Sequence, residues 1–187
     1  MVWAVLFDFY GTLARAVMWG PTVEEVLVRR GFKVSPRARS RWEAEAADGV
    51  DHREHSGDRD GYVAWERARL RRLAEGCRVG RADLDEVVGE LYATSKDFTL
   101  EAYEEVPDVL EQLGGGGVTV AVCSNWDWDL DKALAQAGIE HLIDVAVTSA
   151  QAGARKPHPR IYAHTLQRCG VQPEDVLFVG DTWGPDV

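Results

Sequence analysis

The sequence predicts an α/β fold: a parallel sheet with helices on both faces, and a helical module inserted after the first strand. Three observations carry that expectation. Short apolar runs at residues 2–7, 118–123, 143–147 and 176–179 have the length and β-branching of strands buried on both faces. Helical patterns separate the later runs, and such strand–helix alternation produces parallel strands joined by right-handed crossovers. Residues 14–102 break that rhythm, with several amphipathic helical stretches and no convincing strand.

The first run, Val2-Trp3-Ala4-Val5-Leu6-Phe7, stops at Asp8. Inside the insert, helices are expected over 22–30, 36–47, 61–74 and 82–96. Ser35-Pro36 pairs an N-capping hydroxyl with a proline at the first helical position, where its missing N–H costs nothing. Trp42 and Trp65 read as core of this module. Residues 51–60 form a polar break, and His52 and His55 within it read as solvated loop rather than metal ligands. A helix over 107–113 starts on Pro107. The four glycines at 114–117 precede a strand rather than follow one, and no Gly-Lys-Ser/Thr ends them, so they read as a helix C-cap and turn, not a phosphate loop. Helices over 130–137 and 159–169 stop at Gly138 and Gly170. The expected domains are a core of 1–13 plus 103–187 and a helical module of 14–102.

The 187 residues suit one domain with an insertion. At 45% hydrophobic and 28% charged, the composition excludes disordered and collagen-like chains. A net charge of −10 argues against a nucleic-acid partner. Between Pro21 and Arg81, however, 14 Lys/Arg face 11 Asp/Glu, so the insert is basic and the remainder strongly acidic. These arginines read as solvated helix faces, with a possible pull on an anionic substrate. Cys77, Cys123 and Cys169 are odd in number and form no CxxC pair, which fits reduced thiols in a cytoplasmic protein. No apolar stretch is long enough to span a membrane. Oligomeric state leaves no mark in the sequence.

Ligands of open α/β sheets bind beyond the C-terminal ends of the strands. Four expected strand ends carry Asp8-Phe9-Tyr10-Gly11-Thr12-Leu13, Ser124-Asn125, Arg155-Lys156-Pro157 and Gly180-Asp181-Thr182-Trp183-Gly184-Pro185-Asp186. Three carboxylates converging on one point repel one another, so a lysine or a divalent cation must offset them. Mg²⁺, which takes one or two carboxylates plus substrate oxygens and water, suits this inventory.

These four segments, in this order, resemble the motifs of the haloacid dehalogenase superfamily, and the insert resembles its C1-type helical cap (subfamily I). The resemblance implies a Rossmann-like core and a hydrolase. It implies that Asp8 is the nucleophile, that Ser124 and neighbouring amides, with Asn125, bind the substrate, and that Lys156 offsets charge. In the phosphatase branch Mg²⁺ is held by Asp8, the backbone carbonyl of Tyr10 and Asp181, with Asp186 as ligand or support. Thr12 is read either as a hydrogen-bond partner near the nucleophile or as a stabiliser of the turn.

Two departures pull in opposite directions. Phosphatases of the superfamily commonly carry a second Asp two residues after the nucleophile, as acid and then base. Tyr10 stands there, a poor base near neutrality, and Asp-x-Tyr-Gly-Thr-Leu resembles the 2-haloacid dehalogenases, whose halide leaves unprotonated. Gly180-Asp181 with Asp186 resembles instead the Mg²⁺-binding form. The first reading is a Mg²⁺-dependent phosphatase of a small phosphate ester acting through an aspartyl-phosphate. The alternative is a metal-independent 2-haloacid dehalogenase, and the third a non-catalytic binding protein. Two smaller features complete the picture. His158 stands where the family often has Asp, and the family's fold usually continues with another helix beyond the point where this sequence stops. Trp126, Trp128 and Trp183 read either as packing or as an aromatic rim.

Overall fold

The computed structural model describes residues 2–186. In chain order the strands are β1 (Ala4–Phe7), β2 (Ala14–Trp19), β3 (Phe98–Ala102), β4 (Thr119–Ser124), β5 (Val145–Thr148) and β6 (Val176–Val179). β1 is buried at all four positions, as a central parallel strand is when helices cover both faces. The main sheet has the order β5-β4-β1-β6, and every pairing in it is parallel. The chain runs from β1 outward through β4 to β5, then returns to the other side of β1 as β6. The strand order therefore reverses beside β1, the place where an open sheet leaves a crevice at its C-terminal edge. Phe7 is level with Val122 and with Val179, so Asp8, Ser124 and Gly180-Asp181 all emerge at that edge.

Side-chain alternation divides the core into two layers. Val5, Phe7, Val120 and Val122 pack on one face with Leu110, Leu130 and Leu134. Ala4, Leu6, Ala121, Cys123 and Val147 pack on the other with Ala152 and Ile161. The helices that supply these partners follow the insert.

The insert forms α1 (Val23–Arg29), α2 (Pro36–Ala44), α3 (Arg59–Gly76) and α4 (Leu84–Thr94). A capping box starts α1: the Thr22 hydroxyl accepts from the Glu25 amide at 3.2 Å, and the Glu25 carboxylate accepts from the Thr22 amide at 2.7 Å. Ser35 caps α2 as expected. These helices bury their own cluster of Val26, Leu27, Leu70, Leu73, Val87 and Leu91. Then come α5 (Val106–Gly115), α6 (Leu130–Gln136), α7 (Ser149–Ala152) and α8 (Pro159–Cys169). No helix among the described residues is long and apolar enough to cross a membrane.

Two expectations need correction, and one helix has no counterpart among the expected elements. Residues 14–102 do contain strands: β2 and β3 pair antiparallel, from Ala14 against Ala102 to Trp19 against Phe98. β2 reads Ala-Arg-Ala-Val-Met-Trp and is exposed at four of its six positions, so it has no apolar alternation to display. The α7 turn, a single turn capped by the Thr148 hydroxyl, is too short to show a helical period. Finally, His52 is buried, not solvated. Its ring stacks on Trp65 with centroids 4.9 Å apart, and its amide donates to the Gly153 carbonyl at 2.8 Å. The start of the polar break docks on the loop before Lys156, while His55 and most of the segment face water as expected.

Candidate active site

Asp8 is the first residue beyond β1, and its amide donates to the Val179 carbonyl of β6 at 2.8 Å. The residue is 7% exposed, and its carboxylate is met by two donors on the same oxygen. The Ser124 hydroxyl, from the end of β4, donates to Oδ1 at 2.8 Å, and Lys156 Nζ donates to it at 2.7 Å. Lys156 is 2% exposed and also pairs with Asp186. A buried ammonium is tolerable only when carboxylates face it.

Behind β6 the chain turns tightly, so that both acids return to the same point. The Thr182 amide donates to Asp186 Oδ2 at 3.0 Å, and the Asp186 amide to the Thr182 carbonyl at 3.1 Å. The Tyr162 hydroxyl of α8 donates to the Pro185 carbonyl and pins this turn. Carboxylate oxygens of Asp8, Asp181 and Asp186 lie within 4.8 Å of one another. Asp181 is exposed, while the other two are buried. Gly11, at φ +90°, and Gly180 make room for this approach: a Cβ on Gly11 would strike the Asp181 carboxylate, and one on Gly180 that of Asp186.

The other expected residues take different positions. Tyr10 is partly exposed and sets its ring edge-on to Trp19, with centroids 5.6 Å apart. The Thr12 hydroxyl is buried without a hydrogen-bond partner among the described residues. Asn125 faces the main chain of Lys156, accepting from its amide at 2.6 Å and donating to its carbonyl at 3.2 Å. The same amide group reaches Asp48 of the insert at 3.2 Å. Asn125 thus clamps the Lys156 peptide rather than pointing at Asp8. Trp126 packs between Phe9 and Phe98, with centroids at 5.2 and 5.6 Å, whereas Trp183 is 83% exposed.

Sequence reasoning did not find the docking of the insert on this loop. The Gly49 amide donates to the Lys156 carbonyl at 3.0 Å, and the Arg155 amide to the Val50 carbonyl at 2.9 Å. Gly153 passes so close to Arg53 that a Cβ there would collide with it. None of this has a local sequence signal, because the partners are about a hundred residues apart.

A profile described as haloacid dehalogenase-like hydrolase matches residues 3–187. Over 176 residues, 94% of this chain and 73% of the relative, the sequence is 26% identical to (S)-2-haloacid dehalogenase 2 of a Pseudomonas species. It is 33% identical over 97 residues to the glyceraldehyde 3-phosphate phosphatase of Methanopyrus kandleri. It is 35% identical over 98 residues to haloacid dehalogenase-like hydrolase domain-containing protein 3 of mouse. These last two matches cover 51% and 52% of this chain but only 42% and 39% of the relatives' own lengths. Among solved structures, the 2-haloacid dehalogenase of Pseudomonas syringae superposes over all of this chain and 80% of its own, with a TM-score of 0.66 at 20% identity. A HAD phosphatase from Thermococcus onnurineus does so over the same shares, with a TM-score of 0.60 at 21% identity. The parallel sheet, the convergence of four strand-end segments on Asp8 and the match along the whole chain agree: the protein belongs to the haloacid dehalogenase-like hydrolases.

Proposed function

We propose that this hydrolase is a Mg²⁺-dependent phosphatase of small phosphate monoesters, with Asp8 as nucleophile and the helical module as its cap. The carboxylate cluster carries the reading. Three acids converge, with one ammonium, that of Lys156, touching two of them. The excess negative charge and the all-oxygen donor set fit a hard divalent cation, and Gly11 leaves the space that brings Asp181 close. Asp8, Asp181 and the Tyr10 carbonyl would hold it, with Asp186 as ligand or support. Bound there, Mg²⁺ supplies positive charge to the oxygens of the phosphoryl group.

The chain's own residues do the rest. Ser124 and Lys156 both hold Oδ1 of Asp8, which leaves Oδ2 to attack phosphorus. The ester P–O bond breaks, the leaving oxygen takes a proton from water, and an aspartyl-phosphate forms on Asp8. Lys156 offsets the charge that develops, a contribution that depends on its being fixed before reaction. The Asn125 clamp on the Lys156 peptide supplies that fixity. Water then attacks the acyl phosphate, releasing phosphate and restoring Asp8. With Tyr10 in place of an acid, the leaving group receives little help, so esters of acidic alcohols and phenols are the better substrates.

Tyr10 also favours a second reading, dehalogenation of 2-haloacids, since a departing halide needs no proton. The match to a 2-haloacid dehalogenase along 94% of the chain supports it. One assay pair separates the two. Hydrolysis of p-nitrophenyl phosphate, dependent on Mg²⁺, stopped by EDTA and lost in Asp8→Asn, is the expected result. Halide release from 2-chloropropionate that is indifferent to EDTA would overturn the phosphatase reading. Silence in both assays, together with tight binding to another protein, favours a binding protein.

A further inference from the structure

Between the helical segment and the sheet lies a cleft of about 510 Å³. It lies against the turn that bears Asp8, because two of its walls, Trp126 and Trp19, pack on Phe9 and Tyr10, the residues directly after the nucleophile. Phe98 continues the aromatic wall. Charged groups line the rest, and nearly all are matched. Arg69 pairs with Glu66 at 2.7 Å, Glu43 with Arg39 at 2.7 Å, and Lys96 with Asp127.

Arg155 is the exception. Among the described residues no carboxylate comes within ion-pair distance of it, and its Nε is buried without a hydrogen-bond partner. Burial lowers the guanidinium's pKa, and the more distant acids Asp48 and Glu66 offset this only in part. Its backbone is held on both sides, by its bond to Val50 and by the Asn125 clamp on Lys156, so the side chain is anchored one residue from the lysine that touches Asp8. A guanidinium presents a planar fork that matches an oxyanion.

We propose that Arg155 is a specificity-determining residue that receives a second oxyanionic group on the substrate, whose flat apolar body lies against Trp126 and Phe98. This names a substrate class for the reading above, on which it rests: a phosphate ester carrying a second anion and an aromatic or planar body. The phosphoryl group reacts at Asp8, and the second anion sits at Arg155.

Calorimetric titration with two phosphonates, which no hydrolysis can consume, tests it in the presence of Mg²⁺. Benzylphosphonate lacks the second anion and 4-carboxybenzylphosphonate has it. Wild-type protein is expected to prefer the carboxylated probe by roughly tenfold or more, the size of one charge-assisted contact. In Arg155→Gln the two affinities should become equal, and in Arg155→Lys, which keeps the charge without the fork, part of the preference should remain. Equal affinities in wild type, or a preference that survives in Arg155→Gln, overturns the assignment. Failure of both probes to bind overturns it too. Turnover of p-nitrophenyl phosphate on the same wild-type preparation separates that failure from a failure of the phosphatase reading, since that substrate carries no second oxyanion of the required kind. Near-identical circular dichroism of the variants excludes unfolding as the cause.

Discussion

At the scale of single residues, the site depends on which atoms are already engaged. Ser124 and Lys156 converge on one oxygen of Asp8, and Asn125 fixes the peptide of Lys156 through both polar atoms of its side chain. Tyr10 is the residue that departs from the phosphatase pattern, and its ring lies edge-on to Trp19 rather than on Asp8. Replacing it tests what it withholds. Tyr10→Asp should raise kcat for an alkyl phosphate by about 100-fold, the lower end of the range of general acid–base catalysis. The gain for p-nitrophenyl phosphate, whose leaving group needs no proton, should be much smaller. Equal gains for both esters would show that proton donation does not limit turnover.

At the scale of elements, the turn after β1 is the most constrained. Gly11 at φ +90° lies in a region that L side chains rarely adopt, and its missing Cβ makes room for Asp181. Gly11→Ala should therefore destabilise the protein by about 1–3 kcal/mol in urea unfolding and raise the Mg²⁺ concentration needed for half-maximal turnover. An unchanged urea midpoint would contradict the strain argument. In the sheet core, Leu6 is 2% exposed and central to the layer that α8 covers. Leu6→Ala should cost about 2–5 kcal/mol, through lost burial and a residual cavity, measured the same way. The exposed Arg15–Glu101 pair across β2 and β3, at 2.6 Å, is screened by water and contributes little by comparison.

At the scale of the whole molecule, the insert meets the sheet loops through residues 48–55. His52 lies at that contact, and burial holds its pKa down at about 4 from an ordinary 6.5. The unfolded chain therefore binds a proton that the folded one refuses between these values. Stability is fully present above pH 6.5 and falls as pH drops towards 4. His52→Phe should remove part of that decline, up to about 3 kcal/mol across the window, in urea midpoints taken from pH 7 to pH 4. Parallel pH profiles of variant and wild type would refute it. The insert's arginines tell a related story. Arg29, Arg30, Arg39, Arg59 and Arg72 are each paired with a carboxylate, whereas Lys33, Arg37, Arg67, Arg78 and Arg81 have no ion-pair partner among the described residues. Arg155, outside the insert, is the guanidinium that lines the cleft unpaired.

Local pattern determined much of this protein. Parallel strands buried on both faces are continuous apolar runs, so β1, β4 and β6 could be read directly, and with them the strand ends bearing Asp8, Ser124 and Asp181. Capping residues marked α2 and α8 for the same reason: their signals are contained within a few residues. The family's motifs added Lys156 and Asp186, whose meeting with Asp8 spans 148 residues in one case. Tertiary structure alone decided the rest. The β2–β3 ribbon is held by a partner about eighty residues away, and His52 is buried by rings and a loop from distant segments. Asn125 turned out to grip a backbone rather than a ligand, and Arg155 to be the one unmatched charge in its cleft. Contacts of this kind depend on where the chain returns in space, which no window of sequence encodes.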